Sequence, residues 1–236
     1  MADGTPDVVL LPSLGRPASD FDALCASLRA AGFAPHALDP LPSWDGEPTM
    51  HDLAAEVGQS MDERRIDSAH IIGHAFGNRL SRMFTADHPD RVATLTLLAA
   101  GGYLPIAPVI DHSLLSCFDE SLARSEHLEH VRRAFFADGN DPSVWSGGWT
   151  PTVARYQRGA VLRTDRKVWW DAVAPRVLVV QALQDAIAVP ENGRRYVADH
   201  GDCATLVEIS GAGHAMLPER PDEIAAAVLE FLQRSP

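Results

Sequence analysis

The chain predicts an α/β protein in which a mostly parallel sheet is covered by helices on both faces. Three observations lead there. Short, continuous apolar runs alternate with stretches of helical periodicity, as strands buried on two sides require. One such run leads directly into a tight glycine-bearing turn, Gly73-His74-Ala75-Phe76-Gly77. Two later runs open into loops that carry Asp185 and His214. With 236 residues the chain can bury a full core as one domain and still carry an insertion.

The elements follow in order. Val8-Val9-Leu10-Leu11 reads as the first buried strand, and Ser19 as the cap of a helix whose Phe21, Leu24 and Leu28 share one face before Gly32 ends it. Residues 34–38 form a second strand. Thr49 caps the next helix, with Leu53, Val57 and Met61 spaced four apart. Residues 69–72 are the third strand, which enters the glycine turn. The helix beyond it turns Leu80, Met83 and Phe84 inward and stops before Pro89. Residues 92–99, 176–181 and 205–209 complete the strands, and helices follow the last two near residues 191–200 and 221–232.

Between the fourth and fifth strands the alternation stops. Residues 103–174 show helical stretches and no convincing strand, and they hold four of the five Trp residues. The reading is a core of residues 1–102 and 175–236 with a helical lid of residues 103–174, whose rings face an apolar pocket. Trp145, Trp149 and Tyr103 are the aromatic candidates for substrate contact.

Composition narrows the partners. Thirty-two acidic against 20 basic residues give a net charge of -12, which disfavours nucleic acid and acidic lipid. Cys25, Cys117 and Cys203 form no C-x-x-C pair and suit a reducing compartment. No apolar stretch approaches a membrane span and the start has no basic leader, so a cytoplasmic protein is expected, as monomer or homodimer. His127 and His130 lie three apart beside Glu126 and Glu129, but no further ligands stand at useful spacing. No metal or cofactor is expected; the expected partner is a small-molecule substrate.

The turn at residues 73–77 has the G-x-S-x-G form of a nucleophile elbow with Ala at its centre. Together with Leu10-Leu11-Pro12-Ser13-Leu14-Gly15, with Gln181-Ala182-Leu183-Gln184-Asp185 and with Gly211-Ala212-Gly213-His214, it resembles the α/β-hydrolase superfamily over nearly the whole chain. The likeness begins at that superfamily's first parallel strand, without its customary N-terminal hairpin. It implies Asp185 and His214 as acid and base, Ala75 at the nucleophile position, and the N–H groups of Leu14 and Phe76 as oxyanion donors. Pro12 and Ser13 replace the usual His-Gly pair. Ser13 stands near the oxyanion region as a substrate contact, and His74 beside the elbow as support and a further substrate contact. No charged clamp for a substrate stands out.

Ala75 is either native or a Ser→Ala substitution, and a methyl group cannot be acylated. The expected enzyme is a hydrolase acting on a small apolar carbonyl compound (an ester, a lactone or a C–C bond), with an Asp185–His214 general base. A lyase, cyclase or cofactor-free oxygenase using the same pair stands as an alternative, as does a binding protein without activity.

Overall fold

The computed structural model describes residues 5–234. The reading of the chain's start as lacking a leader falls partly on residues 1–4, which lie outside them. Along the chain come β1 (Asp7–Leu11), α1 (Asp22–Ala30), β2 (Ala34–Ala37), α2 (Met50–Glu63), β3 (Ala69–His74), α3 (Phe76–Asp87) and β4 (Val92–Leu98). Next are α4 (Pro108–Ser116), α5 (Arg124–Phe135), α6 (Pro151–Arg163), α7 (Arg166–Trp170) and β5 (Val177–Ala182). The chain closes with α8 (Glu191–His200), β6 (Ala204–Ile209), α9 (Met216–Glu219) and α10 (Pro221–Gln233).

The six strands pair in parallel in the order β2-β1-β3-β4-β5-β6. Because side chains alternate across a strand, each run feeds two cores. Val9, Leu11, Ile71, Leu97 and Val179 pack with residues of α2, α3 and α8. Val8, Leu10, Ile72, Leu98 and Val180 pack with those of α1 and α10 on the other face. The order reverses at β1, which lies between β2 and β3. Ligands of open α/β sheets bind beyond the carboxyl ends of the strands at such a reversal. Among the described residues no helix is long and apolar enough to cross a membrane.

Local signals behave as their chemistry dictates, with one exception. Thr49 and Asp52 form a reciprocal capping box at the start of α2. Ser19 makes no cap: it lies inside a short 3-10 turn over Ala18–Phe21, and α1 starts only at Asp22. The burial of Phe21, Leu24 and Leu28 is unaffected. Four helices, α4–α7, separate β4 from β5. They do not form one body, because Trp169 and Trp170 of α7 join the sheet's own core. Leu114, Val131, Phe135 and Trp145 form a third cluster with Ile187 and Ala215, which follow β5 and β6.

The turn after β3 requires glycine at both of its ends. A Cβ at Gly77 would meet the Leu11 carbonyl oxygen at 1.9 Å, and one at Gly73 would meet the Gly77 carbonyl oxygen and Ser81 Oγ at 2.3 Å each. These contacts let the end of β3 and the first turn of α3 lie against the end of β1. We expect Gly77→Ala to cost about 3 kcal/mol or more. Urea unfolding of the variant against the parent chain measures it.

β3 also carries two buried histidines. Burial pushes His74 down to about 3 from 6.5, helped by the neighbouring His214, and pushes His70 in the same direction. Both are neutral when folded and take up a proton on unfolding below the unfolded value. Stability is therefore full above about pH 6.5 and falls as pH drops toward the folded pKa. His74 alone removes about 2 kcal/mol between roughly pH 7 and pH 5. His74→Gln is expected to flatten that part of the curve, as read from unfolding midpoints across the range.

Candidate active site

Five strand ends meet at one cavity of about 230 Å³, with Gly101 and Gly102 after β4 and Ile187 and Ala188 after β5 in its lining. The loop after β1 brings Ser13 and Leu14 to it, the turn after β3 brings Ala75 and Phe76, and the loop after β6 brings His214. Asp185, in the loop after β5, stands behind the imidazole.

Ala75 adopts φ 54° and ψ -107°, a left-handed conformation unusual for a residue with a Cβ. Its N–H donates to Leu98 O at 2.9 Å. The turn is thus built with an elbow's strained geometry although its side chain is a methyl group. Phe76 is the first residue of α3, so its N–H lies at a helix N-terminus. Among the described residues, neither this N–H nor that of Leu14 has an acceptor.

His214 Nδ1–H donates to Asp185 Oδ2 at 2.8 Å, and both residues are buried. The other carboxylate oxygen accepts the N–H groups of Ile187 and Ala188, each at 2.8 Å. Asp185 is therefore fixed on three sides, and the bond to Nδ1 leaves Nε2 as the ring's lone-pair site. Phe135 and His74 flank the ring at 5.6 Å between centroids. The His74 Nε2–H donates to the backbone carbonyl of His214 at 2.8 Å, so His74 props the loop from below.

Residues between β4 and β5 hold both loops. Gly15 N–H donates to Gln157 Oε1 of α6 at 2.9 Å, and Thr150 N–H to the Gly15 carbonyl at 3.0 Å. Ala215 N–H donates to the Phe135 carbonyl at 2.8 Å. The Glu219 carboxylate accepts the N–H groups of Ala137 at 2.8 Å and Gly213 at 2.7 Å, and the amide of Asn140. Burial raises the Glu219 pKa against the lowering effect of those bonds. A Cβ at Gly213 would meet the Phe135 carbonyl oxygen at 2.7 Å, which explains the glycine before His214.

Ser13, Leu14, Ala75, Phe76 and His214 share the cavity, but four expected contacts do not reach it. Trp145 is 3% exposed, with its indole 6.1 Å from His74 and 5.6 Å from Phe135. Trp149 Nε1–H donates to the Trp145 carbonyl at 2.7 Å. The Arg16 guanidinium covers both indoles, at 4.3 and 4.6 Å. These rings are spent on packing behind the wall. Tyr103 faces away, stacked near Trp170 at 5.2 Å and covered by Arg166 and Arg195. His74 is fully buried beneath the floor.

From the segment between β4 and β5, Phe118 and Phe135 line the space with Leu114 and Ile106, beside Ile187. The lining also contains Arg79, Arg158 and Asp111, whereas no charged clamp stood out in the sequence. Arg79 was detectable: it lies one helical turn past Ala75, and residues four apart share a helix face. His127 and His130 bond to α4, through the Cys117 carbonyl and Ser113 Oγ.

The family described as "Alpha/beta hydrolase family" matches residues 8–227. The chain is 26% identical over 249 residues to the pimeloyl-[acyl-carrier protein] methyl ester esterase of Neisseria meningitidis, covering 99% of this chain and 96% of that protein. It is 24% identical over 223 residues to the rhodomycin D methylesterase DnrP of Streptomyces peucetius, covering 75% and 71%. The enol-lactonase from Burkholderia xenovorans superposes with a TM-score of 0.81 at 21% identity, over 98% of this chain and 92% of that one. The elbow turn, the buried His–Asp pair and this match over most of the chain lead to one conclusion: the protein is a hydrolase-class member of the alpha/beta hydrolase family.

Proposed function

We propose that the protein hydrolyses a small ester or lactone by direct attack of water, without an acyl-enzyme. The observation that carries this reading is the buried His214–Asp185 pair, whose ring lines the same cavity as the methyl group of Ala75. A base held by a carboxylate that is itself clamped by two N–H groups is oriented for proton transfer. A water resting on the Ala75 methyl occupies the place that a serine hydroxyl takes in an elbow. His214 Nε2 takes one proton from that water as its oxygen bonds to the carbonyl carbon. The N–H groups of Leu14 and Phe76 hold the resulting oxyanion. Collapse breaks the bond to the leaving alcohol oxygen, which receives the proton back from His214. Acid and alcohol leave, and the ring is neutral again.

The supporting roles follow. Helices α4–α6 act as the lid, supplying Phe118 and Phe135 as apolar walls. Ser13, buried and lining the cavity, is placed to hydrogen-bond the substrate. The thiols of Cys25, Cys117 and Cys203 are unpaired, which suits a reducing cytoplasm. Esterase and lactonase names among the relatives support the substrate class.

Turnover of short p-nitrophenyl esters tests the mechanism. The parent chain is expected to turn over slowly and without a burst, and His214→Ala to abolish that activity. Ala75→Ser is expected to gain a factor on the order of 10³ or more and to show a burst of nitrophenolate. Parent activity that is unchanged in His214→Ala would overturn the mechanism.

A further inference from the structure

We propose that Arg79 recognises a free carboxylate on the substrate, so that the cavity takes a small ester or lactone bearing an acid group. This names the substrate class of the hydrolytic site and rests on that reading for the reaction itself. Arg79 lies four residues beyond Ala75, roughly 6 Å along the axis of α3, and both line the same cavity. Its guanidinium lies across the backbone after β4. Nε is 3.4 Å from where a Cβ of Gly102 would be, and Nη2 is 3.9 Å from that of Gly101. The guanidinium thus lies within van der Waals reach of this backbone segment.

What distinguishes this cation is the lack of a counter-ion. Among the described residues, none forms an ion pair or hydrogen bond with Arg79. The carboxylate in the lining, Asp111, is engaged by Arg158 at 3.4 Å. Trp169 lies with its ring 5.7 Å from the guanidinium carbon, which softens the charge without neutralising it. Burial and the like charge of Arg158 push Arg79 down to about 10, so it is still protonated at neutral pH.

Arg82, one turn further on, shows what a structural arginine looks like here. It is completely buried and donates to Asn78 Oδ1 at 2.6 Å and to the Gly101 carbonyl at 2.8 Å. Trp169, Trp170 and Tyr196 surround it at 4.7 to 5.5 Å. Arg79 has no such acceptors and faces the cavity. The protein carries a net charge of -12, yet this lining sets two guanidinium groups against one carboxylate. A planar fork of donors in a partly dry site matches a carboxylate in geometry and charge.

Binding of levulinate and of acetonylacetone tests the proposal. Both are ketones of nearly the same shape, one carrying a carboxylate and the other a neutral acetyl group, and neither is an ester. Titration calorimetry on the parent chain is expected to show levulinate binding about tenfold tighter or more. Arg79→Gln is expected to erase that preference with acetonylacetone affinity unchanged, and Arg158→Gln to keep most of it. Arg79→Lys, which retains charge without the fork, is expected to keep only part and serves if the Gln variant does not fold. Equal affinities in the parent, or a preference that survives Arg79→Gln, would overturn the assignment. Because neither probe is hydrolysed, a failure of ester turnover would overturn the water mechanism and leave this comparison intact.

Discussion

The site depends on how closely the first turn of α3 approaches the end of β1. With no Cβ at residues 73 and 77, the turn can close to within contact of the Leu11 carbonyl. That closure forces Ala75 to φ 54°, a conformation costing of order 1–3 kcal/mol that persists only where surrounding packing over-determines it. The return is positional. The residue-75 methyl points into the cavity, and the helix begins with its free N–H groups beside it. The strained backbone is present although residue 75 carries no hydroxyl.

The second determinant is polar stitching between the two halves of the chain. Gln157 and Thr150 fix the loop after β1, and Phe135, Ala137 and Asn140 fix the loop after β6 through Ala215 and Glu219. Buried hydrogen-bonding groups are costly when unpaired, so each contact selects one arrangement of loops that the sheet alone would leave free. Glu219 shows this most clearly, since one buried carboxylate accepts from Gly213 of the histidine loop and from Ala137 after α5.

Strand positions and helix faces were legible because they rest on local periodicity. Runs such as Val8-Val9-Leu10-Leu11 have to be buried on both sides, and Thr49 with Asp52 declares a helix start within four residues. The loops that bear Asp185 and His214 were also legible as glycine-rich or polar punctuation after strands. Less visible was what each large ring packs against. Burial predicts that Trp145 and Trp149 leave water, not that Arg16 claims their faces in place of a substrate. Likewise α7 reads as insertion by position but belongs to the sheet's core by packing, because its tryptophans lie against α3 and α8. Arg79 was visible as a position, four residues past Ala75, while its lack of a partner is a property of three dimensions only.

The bonds from residues 135–137 to the histidine loop have a mechanical consequence. The wall that carries Phe135 cannot swing outward without dragging the imidazole off its carboxylate, so that side of the cavity behaves as a fixed jamb. The same cavity is lined by Leu104, whose N–H donates to Asn192 Oδ1 at 2.8 Å, and by Leu162 of α6, whose side chain is 79% exposed. The chamber therefore meets solvent at Leu162, while the wall beside the imidazole holds the proton-transfer geometry still.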